Sequence, residues 1–330
     1  MTSFAMVFPG QGSQKVGMLT DLAKNYPIVR TTFNEASSIL HYDLWKLVQY
    51  GPSEKLNRTY VTQPALLAAS VAIWRIWKAK RGKMPTFMGG HSLGEYSALV
   101  CADSLNFFDA ISLVALRGKI MQKAFPAGTC AMSAIIGLKS NLIMTICKEA
   151  SQEQIVSPAN FNAPDQIVIA GHKEAVERAC SACKKAGAKR IVLLPISVPS
   201  HCALMKPAAE ELAKKLNTIT FSTPKIPVIN NVDIRIEKDP KDICQALIRQ
   251  LYNPIYWTKV VEYLSLQGVE ILLEIGPGKV LTNLTKRIVK TLLSVAVNDS
   301  NSLIKTIKQE NFGDKITNES KRKNCAGNRF

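Results

Sequence analysis

The sequence predicts an α/β protein in which a small ferredoxin-like unit interrupts a larger α/β-hydrolase-like domain. Two observations predict it. Residues 90–94, Gly-His-Ser-Leu-Gly, stand between an apolar strand and a helix-forming run, which is the setting of a tight strand-to-helix turn. Between residues 130 and 194 the patterns follow the order βαββαβ, which is typical of a ferredoxin-like unit. We therefore assign residues 1–127 and 198–307 to the large domain, 128–197 to the small unit, and 308–330 to a disordered basic tail.

The large domain begins with a short buried strand and continues as alternating helices and strands. In its first part we expect strands at Phe4–Phe8 and Met84–Gly90, helical patterns up to about Lys80, and helices at Leu93–Cys101 and Phe107–Phe125. In its second part we expect helices at Ala203–Leu216, Pro240–Leu251 and Trp257–Gln267, and strands at Ile226–Asn230, Val269–Ile275 and Leu293–Val297. An inserted unit leaves a cleft beside the domain that it interrupts, and such clefts usually bind ligands.

The small unit has shorter elements with one apolar face each. We expect strands at Ala131–Gly137, Ile155–Asn160, Gln166–Ala170 and Arg190–Leu194, and helices at Ser140–Ala150 and Lys173–Ala186. From about Lys308 onward the chain is polar and charged with few apolar residues, which predicts the disordered tail.

The composition predicts a globular cytoplasmic protein. The chain has 330 residues, of which 47% are hydrophobic, enough for a sizeable core. No run approaches the roughly 18 apolar residues of a membrane span, and the N-terminus lacks the basic start and apolar core of a signal peptide. The eight cysteines have no framework of paired spacings, which favours reduced thiols. The single C-x-x-C, Cys180 to Cys183, has no second pair, so we expect no metal.

The formal net charge of +17 predicts attraction to acidic partners. Nucleic acid fits poorly, because the basic residues are not interleaved with aromatic ones and the common recognition modules are missing from the sequence. An acidic protein partner and a genome rich in lysine codons both remain as explanations.

Ser92 is the candidate nucleophile. Glycines two positions away on each side suit a strained turn that holds the serine at a helix N-terminus, where backbone N–H groups can stabilise an oxyanion. The alternative is an ordinary N-cap serine between glycines. Of the four histidines, His201 suits the general base best, because it lies in a loop where the chain re-enters the large domain. A histidine that is merely exposed in that loop is the alternative.

Arg117 is the candidate for substrate binding. Its neighbours three and four positions away in the predicted helix are all apolar, so the guanidinium emerges from a buried face and needs an anion. That anion is either an internal Asp or Glu or a substrate carboxylate. The turn around Gln11 follows the first strand, and its backbone N–H is a candidate oxyanion donor beside that of Leu93.

These residues together resemble a known family, the malonyl-CoA:acyl carrier protein transacylases of bacterial fatty acid synthesis. The resemblance extends from about residue 4 to 297. Its motifs are Phe8-Pro9-Gly10-Gln11-Gly12-Ser13-Gln14, Thr62-Gln63-Pro64-Ala65, Gly90-His91-Ser92-Leu93-Gly94-Glu95, Arg117-Gly118, Val198-Pro199-Ser200-His201, Asn230-Asn231 and Gly276-Pro277-Gly278.

The resemblance implies a ping-pong reaction without a cofactor. Ser92 takes malonyl from coenzyme A as an ester and passes it to the phosphopantetheine thiol of an acidic acyl carrier protein. His201 is the base, and the backbone carbonyl of Gln250 orients it in place of an acidic residue. Arg117 grips the malonyl carboxylate, and Gln11 and Leu93 supply the oxyanion hole. The resemblance also implies a monomer.

Three further polar residues are candidates for substrate binding, namely Gln63, Asn162 and Gln166. Asn162 and Gln166 belong to the small unit, where they either contact the pantetheine arm or cap loops. Two rival functions stay open: a serine thioesterase, and a module that binds the carrier without catalysis. An inward-facing Arg117 separates the transferase from the thioesterase.

Overall fold

The computed structural model describes residues 3–126, 128–195 and 198–308. The predicted disordered tail, 308–330, therefore lies outside the described residues except for Lys308.

The strands are β1 (Phe4–Phe8), β2 (Phe87–Gly90), β3 (Cys130–Ile136), β4 (Val156–Ala163), β5 (Gln166–His172), β6 (Arg190–Leu193), β7 (Val228–Ile229), β8 (Ile271–Ile275) and β9 (Leu293–Val297). The helices are α1 (Thr20–Asn25), α2 (Ile28–Leu40), α3 (Leu44–Tyr50), α4 (Ser53–Leu56), α5 (Thr59–Ala79), α6 (Leu93–Cys101), α7 (Phe107–Lys123), α8 (Ser140–Ser151), α9 (Lys173–Lys185), α10 (Lys206–Leu216), α11 (Pro240–Tyr252), α12 (Trp257–Leu266), α13 (Val280–Ile288) and α14 (Ser300–Lys308).

A five-stranded parallel sheet forms the centre of the larger part, in the order β7-β2-β1-β8-β9. Every residue of β1 is buried, as its uninterrupted apolar sequence requires of a central parallel strand. In the register of β1 and β2, Phe8 lies opposite Gly90. Both strands therefore end at the same edge of the sheet, and the loops that follow them meet there.

A separate four-stranded antiparallel sheet has the order β4-β5-β3-β6. Helices α8 and α9 pack on it around a core that includes Ile135, Ile143 and Ile167. Strand β4 joins this sheet to the larger part, because the Phe161 N–H donates to the Ile255 carbonyl at 2.8 Å. The protein is thus a mixed α/β structure with one parallel and one antiparallel sheet.

Helix α5 is a long, deeply buried helix of the site region. Most of its 21 residues are buried on every side, which fits a helix inside the core rather than one on the surface. It packs closely on α7 because Gly118 has no side chain. A Cβ atom on Gly118 would lie 2.5 Å from the Tyr60 Cα. This close approach brings Gln63 of α5 to Arg117 of α7.

Prolines account for the main differences from the predicted boundaries. The strand predicted at Met84–Gly90 begins only at Phe87, after Pro85, and the strand predicted at Ile226–Asn230 is reduced to β7, after Pro227. Proline donates no backbone hydrogen bond to a sheet. The helix predicted at Ala203–Leu216 starts as a 3₁₀ turn, and α10 has a proline in its first turn.

Among the described residues, none of the helices combines the length and the apolar character needed to cross a membrane.

Glu274 at the end of β8 fixes the start of α13. Its carboxylate is buried and accepts hydrogen bonds from the Leu281 N–H at 3.0 Å, the Thr282 N–H at 2.8 Å and the Thr282 hydroxyl at 2.7 Å.

We expect Glu274→Ala to lower the free energy of unfolding by about 2–4 kcal/mol, because it leaves these buried donors without an acceptor. Urea titration measures this, and a loss below about 0.5 kcal/mol contradicts it.

Candidate active site

Ser92 lies on a strained turn between β2 and α6, with φ 51° and ψ −105°. The turn is so tight that its flanking glycines cannot carry side chains. A Cβ atom on Gly90 would lie 1.9 Å from the Gly94 carbonyl carbon, and one on Gly94 would lie 2.0 Å from the Phe8 oxygen. This is the geometry expected of a nucleophile elbow, in which strain holds the serine away from the sheet.

Asn231 holds the elbow in place. Its Oδ1 accepts from the Ser92 N–H at 2.7 Å, and its Nδ2 donates to the Gly90 carbonyl at 2.7 Å. The side chain is fully buried. It follows β7, the strand beside β2, and so reaches the same sheet edge as the serine. The sequence contained Asn231 only as part of a motif and gave it no role.

Ser92 is hydrogen bonded to His201, with 2.8 Å between Oγ and Nε2. On the other side of the ring, Nδ1 lies 2.7 Å from the backbone oxygen of Gln250. A carbonyl oxygen can only accept, so Nδ1 carries the hydrogen and Nε2 is free to accept from the serine hydroxyl. The pair thus has the arrangement of a nucleophile and a base, with a backbone carbonyl behind the base.

His201 is held in its neutral form. Burial and, second, the positive charge of Arg117 lower its pKa to about 3, although the hydrogen bond to the Gln250 backbone partly opposes them. A neutral imidazole can take up a proton from the serine throughout the physiological range.

Arg117 is buried, with 2% of its surface exposed, and its guanidinium reaches into the same site. Nη1 donates to Gln63 Oε1 at 2.9 Å and Nη2 donates to Gln250 Oε1 at 3.1 Å. Nη2 also lies 3.4 Å from Ser92 Oγ, and the guanidinium carbon lies 5.3 Å from the centre of the Tyr96 ring. The cation and the candidate nucleophile therefore lie side by side.

The internal ion pair that the sequence left open for Arg117 does not occur among the described residues. Their ion pairs join Arg75, Lys225, Arg249 and Arg287 to acidic residues, and Arg117 takes part in none of them. Its Nε has no hydrogen-bond partner, and burial lowers its pKa. A buried guanidinium with only neutral partners suits the binding of an anion.

The turn after β1 lies against the elbow. A Cβ atom on Gly10 would lie 2.5 Å from the His91 oxygen, and the His91 N–H donates to the Phe8 carbonyl at 3.0 Å. Within the described part of the chain, no hydrogen bond uses the backbone N–H of Gln11 or of Leu93. Both groups, the candidates for the oxyanion hole, are therefore unengaged.

The two candidates in the small unit have different surroundings. Asn162 is buried and its Oδ1 lies 2.8 Å from Nε2 of His91, the residue before Ser92. Gln166 instead accepts a hydrogen bond from Arg287 on α13. The structure thus brings Asn162 to the elbow and joins Gln166 to α13.

Glu95, like Asn231, was part of a motif in the sequence but was given no role there. It stands three positions after Ser92, the spacing of a capping box, in which the glutamate accepts from the N-cap N–H. Asn231 occupies that N–H instead, and Glu95 Oε2 accepts from the Gln250 amide at 2.8 Å and from the Asn231 N–H at 3.0 Å. Burial raises the pKa of Glu95 to about 7.

In the part of the chain that the structure describes, no group of three or more His, Cys, Asp and Glu side chains is placed to hold a metal ion. The expectation that the protein needs no metal or cofactor stays a prediction.

Comparison with known proteins gives a consistent result. The family model described as an acyl transferase domain matches residues 5–323. The malonyl CoA-acyl carrier protein transacylase of Salmonella typhimurium is 63% identical over 309 residues, which cover 94% of this chain and 100% of the relative. The malonyl CoA-acyl carrier protein transacylase of Bacillus subtilis is 42% identical over 315 residues, which cover 94% of this chain and 99% of the relative.

Solved structures agree with this result. A malonyl-transacylase in complex with a type II PKS acyl-carrier protein matches with a TM-score of 0.93 and 63% identity, over 94% of this chain and 100% of that one. An acyl carrier protein S-malonyltransferase from Vibrio cholerae matches with a TM-score of 0.90 and 64% identity. The match covers 92% of this chain and 99% of that one.

The family match over most of the chain, together with the serine elbow, defines an acyltransferase. More narrowly, the chain belongs to the family of malonyl-CoA:acyl carrier protein transacylases.

Two glycines on either side of Ser92 provide a test of the elbow. We expect Gly94→Ala to destabilise the protein by more than about 3 kcal/mol or to prevent folding, because its Cβ meets the Phe8 oxygen at 2.0 Å. Gly89→Ala is the control, since its Cβ would lie no closer than 3.8 Å to a neighbour. Thermal unfolding compares the two variants, and equal loss in both contradicts the steric account.

The pKa of His201 gives a prediction for pH dependence. We expect the rate of Ser92 sulfonylation by phenylmethanesulfonyl fluoride to stay nearly constant from pH 8 down to pH 5. The base is lost only as pH falls through a folded-state pKa of about 3, so the imidazole is still neutral at pH 5. His201→Ala is the control and should abolish the reaction. An inflection near pH 6.5 in the wild-type rate contradicts the assignment.

Proposed function

We propose that this chain transfers malonyl from malonyl-CoA to the phosphopantetheine thiol of an acyl carrier protein through an ester on Ser92. The observation that carries the proposal is the position of Ser92 Oγ, which lies 2.8 Å from His201 Nε2 and 3.4 Å from Arg117 Nη2. The names of the relatives agree with this activity. The product supplies fatty acid elongation.

The reaction follows a ping-pong course in this proposal. Ser92 Oγ attacks the thioester carbonyl of malonyl-CoA and its proton passes to His201 Nε2. The carbon–sulfur bond breaks, and the coenzyme A thiolate leaves with that proton. The carrier thiol then gives its proton to His201 and attacks the ester, the carbon–oxygen bond breaks, and Ser92 Oγ regains the proton. The Gln250 carbonyl orients His201 in both halves, supported by its 2.7 Å distance from Nδ1.

The oxyanion of each tetrahedral intermediate is bound by the backbone N–H groups of Gln11 and Leu93 in this account. Two features support the assignment. Leu93 begins α6, so its N–H points out of the helix N-terminus, where negative charge is favoured. The turn that carries Gln11 lies against the residue before Ser92, as the close approach of Gly10 to the His91 oxygen indicates.

Arg117 binds the free carboxylate of the malonyl group, and Gln63 holds the guanidinium for it. The fork of an arginine matches a carboxylate in two parallel hydrogen bonds, and the neutral partners of Arg117 leave its charge available. This separates the transferase from a thioesterase, which needs no such cation.

Asn162 is proposed to contact the pantetheine arm, supported by its place beside the elbow through His91. The same role for Gln166 has weaker support, since its side chain is bonded to Arg287.

The chain is divided into a large catalytic domain and a small inserted unit in this proposal. Residues 1–127 and 198–307 form a catalytic domain of the α/β-hydrolase-like type, supported by the parallel sheet and the elbow. Residues 128–197 form an inserted ferredoxin-like unit, supported by the strand order β4-β5-β3-β6 and the two helices packed on that sheet.

We further propose that the protein acts as a cytoplasmic monomer without cofactor and that an acidic carrier protein is its transient partner. The net charge of +17 supports electrostatic attraction of such a carrier, and a solved relative binds an acyl-carrier protein. The described cysteines are all free thiols, which supports a reducing compartment.

Intact-mass measurement tests the function. After mixing with malonyl-CoA we expect a malonyl adduct on Ser92, none in Ser92→Ala, and loss of the adduct when phosphopantetheine-loaded carrier is added. A binding module gives no adduct, and a thioesterase loses it to water as fast as to the carrier.

The same assay with Arg117→Ala tests the choice of acyl group. We expect malonyl transfer to fall roughly 100-fold, the effect of about 3 kcal/mol of charge-assisted hydrogen bonding, while acetyl transfer from acetyl-CoA stays the same or rises. Equal loss with both donors would make Arg117 a structural residue only.

A further inference from the structure

Glu95 makes an unusual pair of contacts beneath the site. A single carboxylate oxygen, Oε2, accepts from the side-chain amide of Gln250 at 2.8 Å and from the backbone N–H of Asn231 at 3.0 Å. Gln250 belongs to the helix that orients His201 and contacts Arg117, and Asn231 holds the elbow of Ser92. One buried acid thus joins the two halves of the site.

The contacts of Gln250 determine which way its amide points. Nε2 donates to Glu95 Oε2 and also to the Ser92 carbonyl at 3.2 Å. Both of these atoms are acceptors, so they require the NH₂ group on that side. The amide oxygen, Oε1, is consequently turned to Arg117, where it accepts from Nη2 at 3.1 Å. A flipped amide would set NH₂ against a guanidinium that has no acceptor to offer.

We infer that Glu95 is a positioning residue for malonyl specificity, because it fixes the Gln250 amide so that Oε1 holds Arg117 in the orientation that receives the substrate carboxylate. The inference rests on the proposed function. Glu95 acts through Gln250 and does not touch the substrate.

The side-chain amide of Gln250 separates the carboxylate of Glu95 from the guanidinium of Arg117. A carboxylate in direct contact with the guanidinium would occupy the fork that the malonyl carboxylate needs. Because Gln250 lies between them, Glu95 orients the Gln250 amide and leaves the guanidinium of Arg117 free to bind the malonyl carboxylate. Tyr96, Gln63 and Gln250 are all neutral, so the substrate is the first anion to contact Arg117.

The hydrogen bonds of Glu95 do not depend on its charge. Burial raises its pKa to about 7, so both protonation states occur near neutrality. Among the described residues, no hydrogen bond reaches Oε1, which can carry the proton while Oε2 accepts from both amides. A glutamine at this position would offer the same accepting oxygen.

The test compares Glu95→Ala with Glu95→Gln, using malonyl-CoA and acetyl-CoA as donors for acylation of Ser92 in the full-length protein. We expect Glu95→Ala to raise the KM for malonyl-CoA by roughly tenfold or more, the effect of losing a hydrogen bond to a charged group. Acetyl transfer should change by less than about threefold. Glu95→Gln should restore malonyl transfer to within about threefold of wild type, because its amide oxygen replaces Oε2.

Glu274→Gln is the matched control. It alters an equally buried glutamate that fixes α13 to β8, and it should leave the ratio of malonyl to acetyl transfer unchanged whatever it does to stability. Glu95→Met provides a second variant in case Glu95→Ala does not fold. It fills the space of the glutamate side chain but offers no accepting oxygen to Gln250, and it should show the same selective loss of malonyl transfer.

Equal loss of malonyl and acetyl transfer in Glu95→Ala or Glu95→Met overturns the inference, because it would show a structural role alone. A failure of Glu95→Gln to restore activity overturns it too, since the charge would then be the decisive property. If the wild-type protein forms no malonyl ester, the proposed function fails. If it does but the variants show no split between donors, only the role of Glu95 fails.

Discussion

A buried positive charge that contacts no carboxylate among the described residues is the constraint on which the rest of the site depends. Removing a guanidinium from water costs several kcal/mol unless other groups replace its hydration. Here Gln63, Gln250 and the face of Tyr96 do so, and all are neutral. Two consequences follow. The charge helps to hold His201 in its neutral form, and the guanidinium is left with neutral groups as its hydrogen-bond partners.

The fold supplies this arrangement from separate parts of the chain. The adjacent strands β1 and β2 end at one sheet edge, which brings the turn around Gln11 to the elbow of Ser92. The close packing of α5 on α7 at Gly118 brings Gln63 to Arg117. Gln250 then connects Ser92, His201, Arg117 and Glu95 through its carbonyl and its amide. A displacement of α11 would therefore disturb His201 and Arg117 together.

Much of this could be predicted from the sequence, because it depends on local pattern. The elbow follows from two glycines around a serine, and the inward direction of Arg117 follows from its apolar neighbours. Strand lengths at Met84–Gly90 and Ile226–Asn230 were wrong where a proline removes a backbone donor. The partners of Arg117 could not be decided, because a helical pattern shows that a side chain is buried but not what it meets. Asn231, Glu95 and the Gln250 amide were missed for the same reason. They meet only in three dimensions, and the Ser92 to Glu95 spacing even suggests a different hydrogen bond.

The most direct measurement of the central claim is a crystal structure of the protein trapped as its malonyl ester. The account predicts an ester on Ser92 whose free carboxylate lies within bidentate hydrogen-bond distance of Arg117, with the contacts of Gln63 and Gln250 to the guanidinium retained. A carboxylate directed to solvent, or an Arg117 that has turned to pair with Glu95, would contradict it.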